Sequence, residues 1–250
     1  MNHWLTSIIK HHLPCYFISP HLDDAALSAA CLMHYLVRKG VPVTVINVFT
    51  KGGSGPQTWS AKKAVAVSGY ASPDSLYAAR QDEDFVALSK IGVRVINLGY
   101  TDAPWRRRPV SGRLAKLLEP YLPEVSHIYP TYHWHIASGR VSPSDQPLIN
   151  QLCTDLARLI DSSNSVVFCP EAIGGHVDHA LVKTAVSRCF SPIRWLDQPY
   201  SLVHPAPREN FSFPTSHTYK KSLLRLYRTQ IGLLFPSGKI PLLEEQFFIL

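Results

Sequence analysis

The sequence predicts an α/β fold, a Rossmann-like three-layer sandwich with a mainly parallel sheet. Two observations carry this. Apolar runs of strand length alternate with longer amphipathic runs in the order β then α, and strands separated by helices need the crossover connections of a parallel sheet. The 250 residues are 46% apolar and 17% charged, against about 45 to 50% and about 25% in ordinary globular chains. Such a chain buries a sizeable core and is not disordered.

Taken in order, Cys15 to Ser19 is a short apolar run that reads as a buried strand, Asp24 to Arg38 an amphipathic helix, and Val41 to Phe49 a Val- and Ile-rich second strand. Leu76 to Lys90 reads as a helix and Val93 to Leu98 as the next strand. Ser126 to Tyr129 and Ser165 to Cys169 give two further strands, with a helix from roughly Pro147 to Ile160 between them. A helix over Asp178 to Phe190 and a strand over Ile193 to Leu196 follow, and Lys220 to Ile231 is expected as a last helix. Pro205, Pro207 and Pro214 mark irregular backbone before it, and the apolar tail is expected to dock on the body. No repeat or linker divides the chain, so residues 1–250 are expected to form one domain with a more irregular segment at 200–250.

No stretch approaches the roughly 18 to 20 uninterrupted apolar residues of a membrane span. The N-terminal segment, with Lys10, His11 and His12 after a short apolar run, does not read as a secretory signal, so a soluble, cytoplasmic protein is expected. Cys15, Cys31, Cys153, Cys169 and Cys189 are odd in number and contain no C-x-x-C pair, which favours buried free thiols. The net charge of +7 favours anionic partners without choosing among them. The basic residues are dispersed apart from Trp105-Arg106-Arg107-Arg108 and Lys220 to Arg228, and no nucleic-acid motif accompanies them, so no nucleic-acid partner is expected. The connection from Lys51 to Ser75 is long enough to be a functional loop bordering a site, and its Gly-rich start lacks the order of a phosphate-binding loop.

Open parallel sheets bind ligands at the carboxyl ends of their strands. Two polar clusters fall there. The first is Pro20-His21-Leu22-Asp23-Asp24, after the first strand. Its aspartates have a plain reading as a helix cap and first-turn acid, but His21 and Asp24 at i and i+3 can also converge on one metal with Asp23 facing its water. The second is Gly174-Gly175-His176-Val177-Asp178-His179, where two histidines three apart at a helix start share a face. Together they can build a 2-His-1-carboxylate site from His21, Asp24 and His179, with coordination positions left open as hydrolytic zinc and non-haem iron sites require.

At these residues the sequence resembles the PIG-L/LmbE-like family of metal-dependent N-acetylglucosamine deacetylases, whose motifs read approximately His-Pro-Asp-Asp-Glu and His-Pro-Asp-His. The resemblance runs from Cys15 to about Phe190 and includes Arg80 and Glu83 as the family's Arg-x-x-Glu; Leu22, Ala25 and Val177 depart from the motifs. It implies that His21, Asp24 and His179 bind zinc, that Asp23 is the general base, that His176 stabilises the oxyanion and that Asp178 orients His176. Iron(II) or another divalent metal suits the same ligands. The implied substrate is a small N-acetylamino sugar or conjugate, anionic or phosphorylated forms included.

Independently of the family, a metal and Asp23 can activate water for attack on an amide, and an imidazolium at His176 can meet the oxyanion. Arg80, with Glu83 as i+3 partner, and Asp102, just past a strand end, are expected at the substrate, against solvated-helix and turn-cap readings. Trp105 to Arg108 reads more readily as a solvated loop than as stacking plus guanidinium for a sugar phosphate, and Thr131-Tyr132-His133-Trp134-His135 as either a sugar-facing wall or packing. Two other functions stand beside deacetylation: an amidase on a non-sugar N-acyl amine, and a non-catalytic metal- or carbohydrate-binding protein.

Overall fold

The computed structural model describes residues 3–110, 112–204 and 211–248. Parallel strands β1 (Cys15–Ser19), β2 (Val43–Lys51), β3 (Arg94–Thr101), β4 (Val166–Pro170) and β5 (Ile193–Trp195) form the body of one sheet. The short β6 (Phe211–Phe213) and β7 (Glu245–Phe248) extend it antiparallel, in the order β3-β2-β1-β4-β5-β7-β6. The helices are α1 (His3–His11), α2 (Asp24–Arg38), α3 (Trp59–Val67), α4 (Pro73–Ile91), α5 (Arg113–Leu118), α6 (Gln146–Leu159), α7 (Val177–Cys189), α8 (His217–Leu224) and α9 (Arg228–Leu234).

The three layers follow from the two-residue period of the central strands. Cys15 and Phe17 of β1, with Val43 and Val45 of β2, pack against Leu32 and Leu36 of α2. Ile18, Ile46 and Val48 point the other way, to Leu152 of α6 and Leu181 of α7. Both sheet faces are covered, which is why these strands are nearly continuous apolar runs. The α/β sandwich with a mostly parallel sheet is as the sequence predicted.

Several local expectations change. Ser126 to Tyr129 is not a strand: it keeps one antiparallel bridge, Arg107 to His127, between segments bracketed by Pro109, Pro123 and Pro130, which cannot extend a ladder. The stretch from Lys51 to Ser75 is not all loop, since Thr58 caps α3 by accepting from the Ala61 amide at 3.1 Å. α4 begins at Pro73, earlier than expected, because Ser72 forms a capping box with Ser75. The single helix expected over Lys220 to Ile231 is two, parted near Tyr227, whose hydroxyl donates to buried Asp84 at 2.8 Å. Pro205 and Pro207 lie outside the described residues.

The cysteine expectation is corrected as well. Cys153 of α6 and Cys189 of α7 are joined in a disulfide, their Cα atoms 6.1 Å apart. The two helices pack side by side on one sheet face and bring the side chains within bridging range. Cys15, Cys31 and Cys169 are free and buried.

The C-terminal strand reaches the heart of the fold. Glu245 of β7 is fully buried, pairs with Lys220 Nζ at 3.0 Å, and accepts from the amides of Cys31 at 2.8 Å and Leu32 at 2.9 Å in the middle of α2. Among the described residues no helix is long and apolar enough to cross a membrane.

Candidate metal centre and active site

The strand order reverses between β1 and β4, and both polar clusters emerge at the carboxyl ends of those two strands, at the switch point where open sheets bind ligands. After β1 the turn is tied by Ser19, whose hydroxyl donates to the His21 carbonyl at 2.6 Å and accepts from the Ala25 amide at 3.1 Å. Asp23 sits at the cap position of α2 but makes no side-chain cap bond, so its carboxylate is not used for the helix. After β4 the chain passes Gly174, where an added Cβ would lie 2.2 Å from the Tyr200 ring; only glycine lets that ring approach. α7 then starts behind His176, with His179 in its first turn.

Asp24 Oδ2 lies 3.1 Å from His21 Nδ1 and 3.3 Å from His179 Nε2. The other nitrogen of each ring faces a buried carboxylate: His21 Nε2 is 3.3 Å from Asp178 Oδ2, and His179 Nδ1 is 2.6 Å from Asp197 Oδ1. Each imidazole thus turns one nitrogen inward and has the other held by a carboxylate, the pattern that orients metal-ligating histidines. Neighbouring donors around a tetrahedral zinc with bonds of ~2.0 to 2.1 Å stand about 3.3 Å apart, and the two separations from Asp24 Oδ2 to the histidines match that spacing. Among the described residues the groups whose ligand atoms all lie within 4.8 Å of one another are His21 with His176 and His179, and His21 with Asp102 and Asp178; Asp24 is in neither.

The electrostatics ask for positive charge. Burial opposes protonation of His21, but Asp102, Asp178 and Asp24 hold it well above the ordinary imidazole value. Burial likewise opposes charge on His179, yet Asp24 and Asp197 push it up to about 10. Asp24 is held well below the usual carboxylate range, burial notwithstanding, by His179 and His21. Asp23 differs: burial and then the Asp24 charge push it up to about 7, where a carboxylate can both take and return a proton.

His176 is the departure from expectation. Burial and the neighbouring His21 and His179 push it well below the ordinary value, so it is a neutral imidazole at pH 7 and not an imidazolium. Its Nδ1 accepts from the Asp178 amide at 3.3 Å, leaving the proton on Nε2 as a donor. The contact expected from the Asp178 carboxylate to His176 is therefore made by the Asp178 backbone. That carboxylate faces His21, accepts from the Ala103 amide at 3.0 Å and pairs with Arg106.

Asp102 is buried beside them, 3.7 Å from His21 Nε2, and accepts from the Tyr77 hydroxyl. Arg80 lines the same cleft over the Tyr77 ring, at 5.3 Å from its centroid. Its expected partner Glu83 is elsewhere, accepting from the Thr229 amide at 3.0 Å and hydroxyl at 2.7 Å to fasten α9. The solvated reading of Trp105 to Arg108 fails for Arg106, which is 6% exposed, lies over Phe49 and Tyr129, and pairs with Asp178 and, at 3.1 Å, Asp145. Thr131, Tyr132, His133 and Trp134 form a wall of the cleft, whose volume is about 590 Å³. Sequence reasoning gave Arg106 to a solvated loop and did not find Asp145, Asp197 or Tyr200; the local sign at Arg106 was a basic run directly after Trp105, which carries no chemistry by itself.

A buried His/Asp cluster of this kind at the switch point of a doubly wound sheet is a candidate site for a divalent cation. The chain belongs to the PIG-L family, GlcNAc-PI de-N-acetylase, whose model matches residues 16–190. No curated protein sequence matches it. Its fold is similar to that of the deacetylase solved with teicoplanin, from the teicoplanin biosynthesis pathway (22% identity over 94% of this chain and 97% of that one, TM-score 0.73). It is also similar to the zinc-inhibited form of teicoplanin deacetylase Orf2 (23% identity over 88% and 86%, TM-score 0.70). A more distant likeness is to GalB, the 4-carboxy-2-hydroxymuconate hydratase of Pseudomonas putida KT2440 (12% identity over 94% of each chain, TM-score 0.53). The same sandwich therefore carries more than one chemistry, and activity has to be argued from the site.

Proposed function

We propose that the protein is a divalent-metal-dependent hydrolase that removes the acetyl group from an N-acetylamino sugar or its conjugate. The observation that carries this reading is Asp24 Oδ2 between two carboxylate-held histidines, with the uncommitted carboxylate of Asp23 beside them. His21, Asp24 and His179 would hold the ion. Zinc is the first choice on the donor set and iron(II) the second. When bound, the ion supplies Lewis acidity at the amide carbonyl and makes water acidic enough to react near neutral pH.

The chain's own groups do the rest. Asp23, pushed up to about 7, accepts the proton of the attacking water and returns it to the leaving amine. His176 donates from Nε2 to the developing oxyanion as a neutral imidazole, a weaker but geometrically fixed stabiliser. Asp102 and Arg80, on the cleft wall, bind the sugar hydroxyls or an anionic substituent. Acetate and a free amine leave.

Family membership supports amide hydrolysis on an amino sugar, and neighbours named as deacetylases agree with it. The test is a metal-content measurement with an amine-release screen over N-acetylglucosamine conjugates and non-sugar N-acetyl amines. Release from the sugars with a bound ion supports the reading; release from the non-sugar amines alone replaces it with an amidase, and a bound ion without any release replaces it with a binding protein. The cytoplasmic address belongs to the same proposal although the Cys153–Cys189 disulfide counts against it, and thiol trapping of the two cysteines in cells decides it, because a persistent disulfide marks an oxidising compartment.

A further inference from the structure

A second concavity lies at the far end of α2 and shares no lining residue with the cleft. α2 starts at Asp24, in the candidate metal centre, and its C-terminal half walls this groove with Cys31, His34, Tyr35 and Arg38. Positions 31, 34, 35 and 38 fall on one helical face. Phe211 and Phe213 of the outermost strand β6 line the groove too, as does Tyr219 of α8. Its volume of about 680 Å³ is inside the roughly 300 to 1,000 Å³ of small-molecule sites.

The lining is aromatic and its charge is positive. The rings of His34, Tyr35, Phe211, Phe213 and Tyr219 are all half-buried, so each keeps surface uncovered. They are set in tilted pairs, Tyr35 with Phe213 at 5.5 Å between centroids and His34 with Tyr219 at 4.8 Å, and a flat ring brought to them meets both faces and edges. Arg38 is exposed in the last turn of α2, Lys39 follows with Nζ 5.5 Å from the Tyr35 centroid, and no acidic residue lines the groove. His34 Nδ1 and the Tyr219 hydroxyl are buried without a hydrogen-bond partner among the described residues. Burial pushes the Tyr219 hydroxyl up to about 12, so it keeps its proton to donate. The imidazole donates as well in its Nδ1-protonated tautomer. A buried donor left unmet is costly, and an acceptor carried in by a ligand removes that cost.

We propose that this groove binds an aryl carboxylate, its flat ring system against the Tyr35 and Phe213 pair and the His34 and Tyr219 pair, its anionic group towards Arg38. An aliphatic chain would leave the ring faces underused, and a cation would meet Arg38 and Lys39 with the wrong sign. The site is independent of what the cleft hydrolyses. Its wall includes Cys31, whose amide Glu245 holds at 2.8 Å, so the ligand would lie on the same helix that carries Asp24.

The test titrates 2-naphthoate into the full chain, with and without added zinc, and follows naphthalene fluorescence and heat. One saturable site with Kd under about 1 mM is expected in both conditions. Cyclohexanecarboxylate, which has no π face, should bind at least about threefold more weakly, and naphthalen-2-ylmethylammonium at least about tenfold more weakly. Arg38→Gln, a change at an exposed position, should weaken 2-naphthoate at least about threefold and leave 2-naphthol unchanged. Phe213→Leu should weaken both. No saturable binding, or equal affinity for the ammonium compound, overturns the proposal. Binding that survives both substitutions but requires the zinc puts the carboxylate in the cleft and overturns it too. So does a chain that sediments as a dimer and takes 2-naphthoate only on dissociation, because a second copy then covers the groove.

Discussion

Arg106 and Asp178 form an ion pair out of reach of solvent, and the second oxygen of Asp178 lies 3.3 Å from His21 Nε2. The guanidinium is itself fixed by Asp145 at 3.1 Å, which accepts from the Tyr129 hydroxyl at 2.8 Å. Four buried side chains, Tyr129, Asp145, Arg106 and Asp178, therefore lead to a histidine of the candidate metal centre, and Arg106 among them comes from a segment that sequence reading assigned to solvent.

Arg106→Met is expected to weaken metal affinity ~10- to 100-fold, the usual effect of disturbing a group that orients a ligand. Arg106→Lys should recover part of it by keeping the charge. Competition against a chelator at matched folded fraction measures the change. An affinity equal to wild type in Arg106→Met means that Asp178 holds His21 without help.

His21→Ala, Asp24→Ala and His179→Ala should each lose bound metal while keeping the far-ultraviolet spectrum of the parent, because each removes one of the three ligands proposed above. Full occupancy in any of them takes that residue out of the coordination sphere.

Asp23→Asn should retain metal and lose ~100-fold or more of turnover, as an amide cannot accept the proton of water. His176→Ala should lower kcat more than it raises KM. Because His176 is already neutral at pH 7, any fall in activity at high pH should persist in that variant. Disappearance of such a fall in His176→Ala would restore the imidazolium role.

In the metal-free protein His21 is held well above the usual imidazole value and His179 up to about 10, so both carry protons at pH 7. An entering cation must displace them, and apparent affinity should climb with pH through the neutral range. Titration calorimetry in two buffers of different ionisation enthalpy reads the protons released; none released would contradict the assignment of these two rings as ligands.

Glu245→Gln should lower stability by ~3 to 5 kcal/mol, the loss expected when one partner of a buried pair is neutralised. Urea unfolding measures it. A change under ~1 kcal/mol would mean that water reaches Lys220.

The parts of this molecule that were legible in its sequence share a property: their signal is local. β1 and α2 announce themselves by buried runs and helical spacing, and His21, Asp24 and His179 by sitting just past strands. α3 was missed because a nine-residue helix of Trp, Lys, Ala and Val has a weak apolar period. Asp197 was missed, and Arg106 given to solvent, for another reason: Asp197 pairs with His179 and Arg106 with Asp178, both on α7, and nothing beside a charged residue in a connection tells which distant partner it meets. The disulfide is the same case, its cysteines 36 positions apart and adjacent only once α6 and α7 pack.

Glu245 grips the amides of Cys31 and Leu32 from 214 and 213 positions downstream. The helix that begins with Asp24 is thereby anchored by a strand far along the chain, and anchor and helix can be parted without touching any residue of the cleft. A cleavage between α9 and β7 would loosen α2 from a distance and disturb the candidate metal site through the scaffold alone.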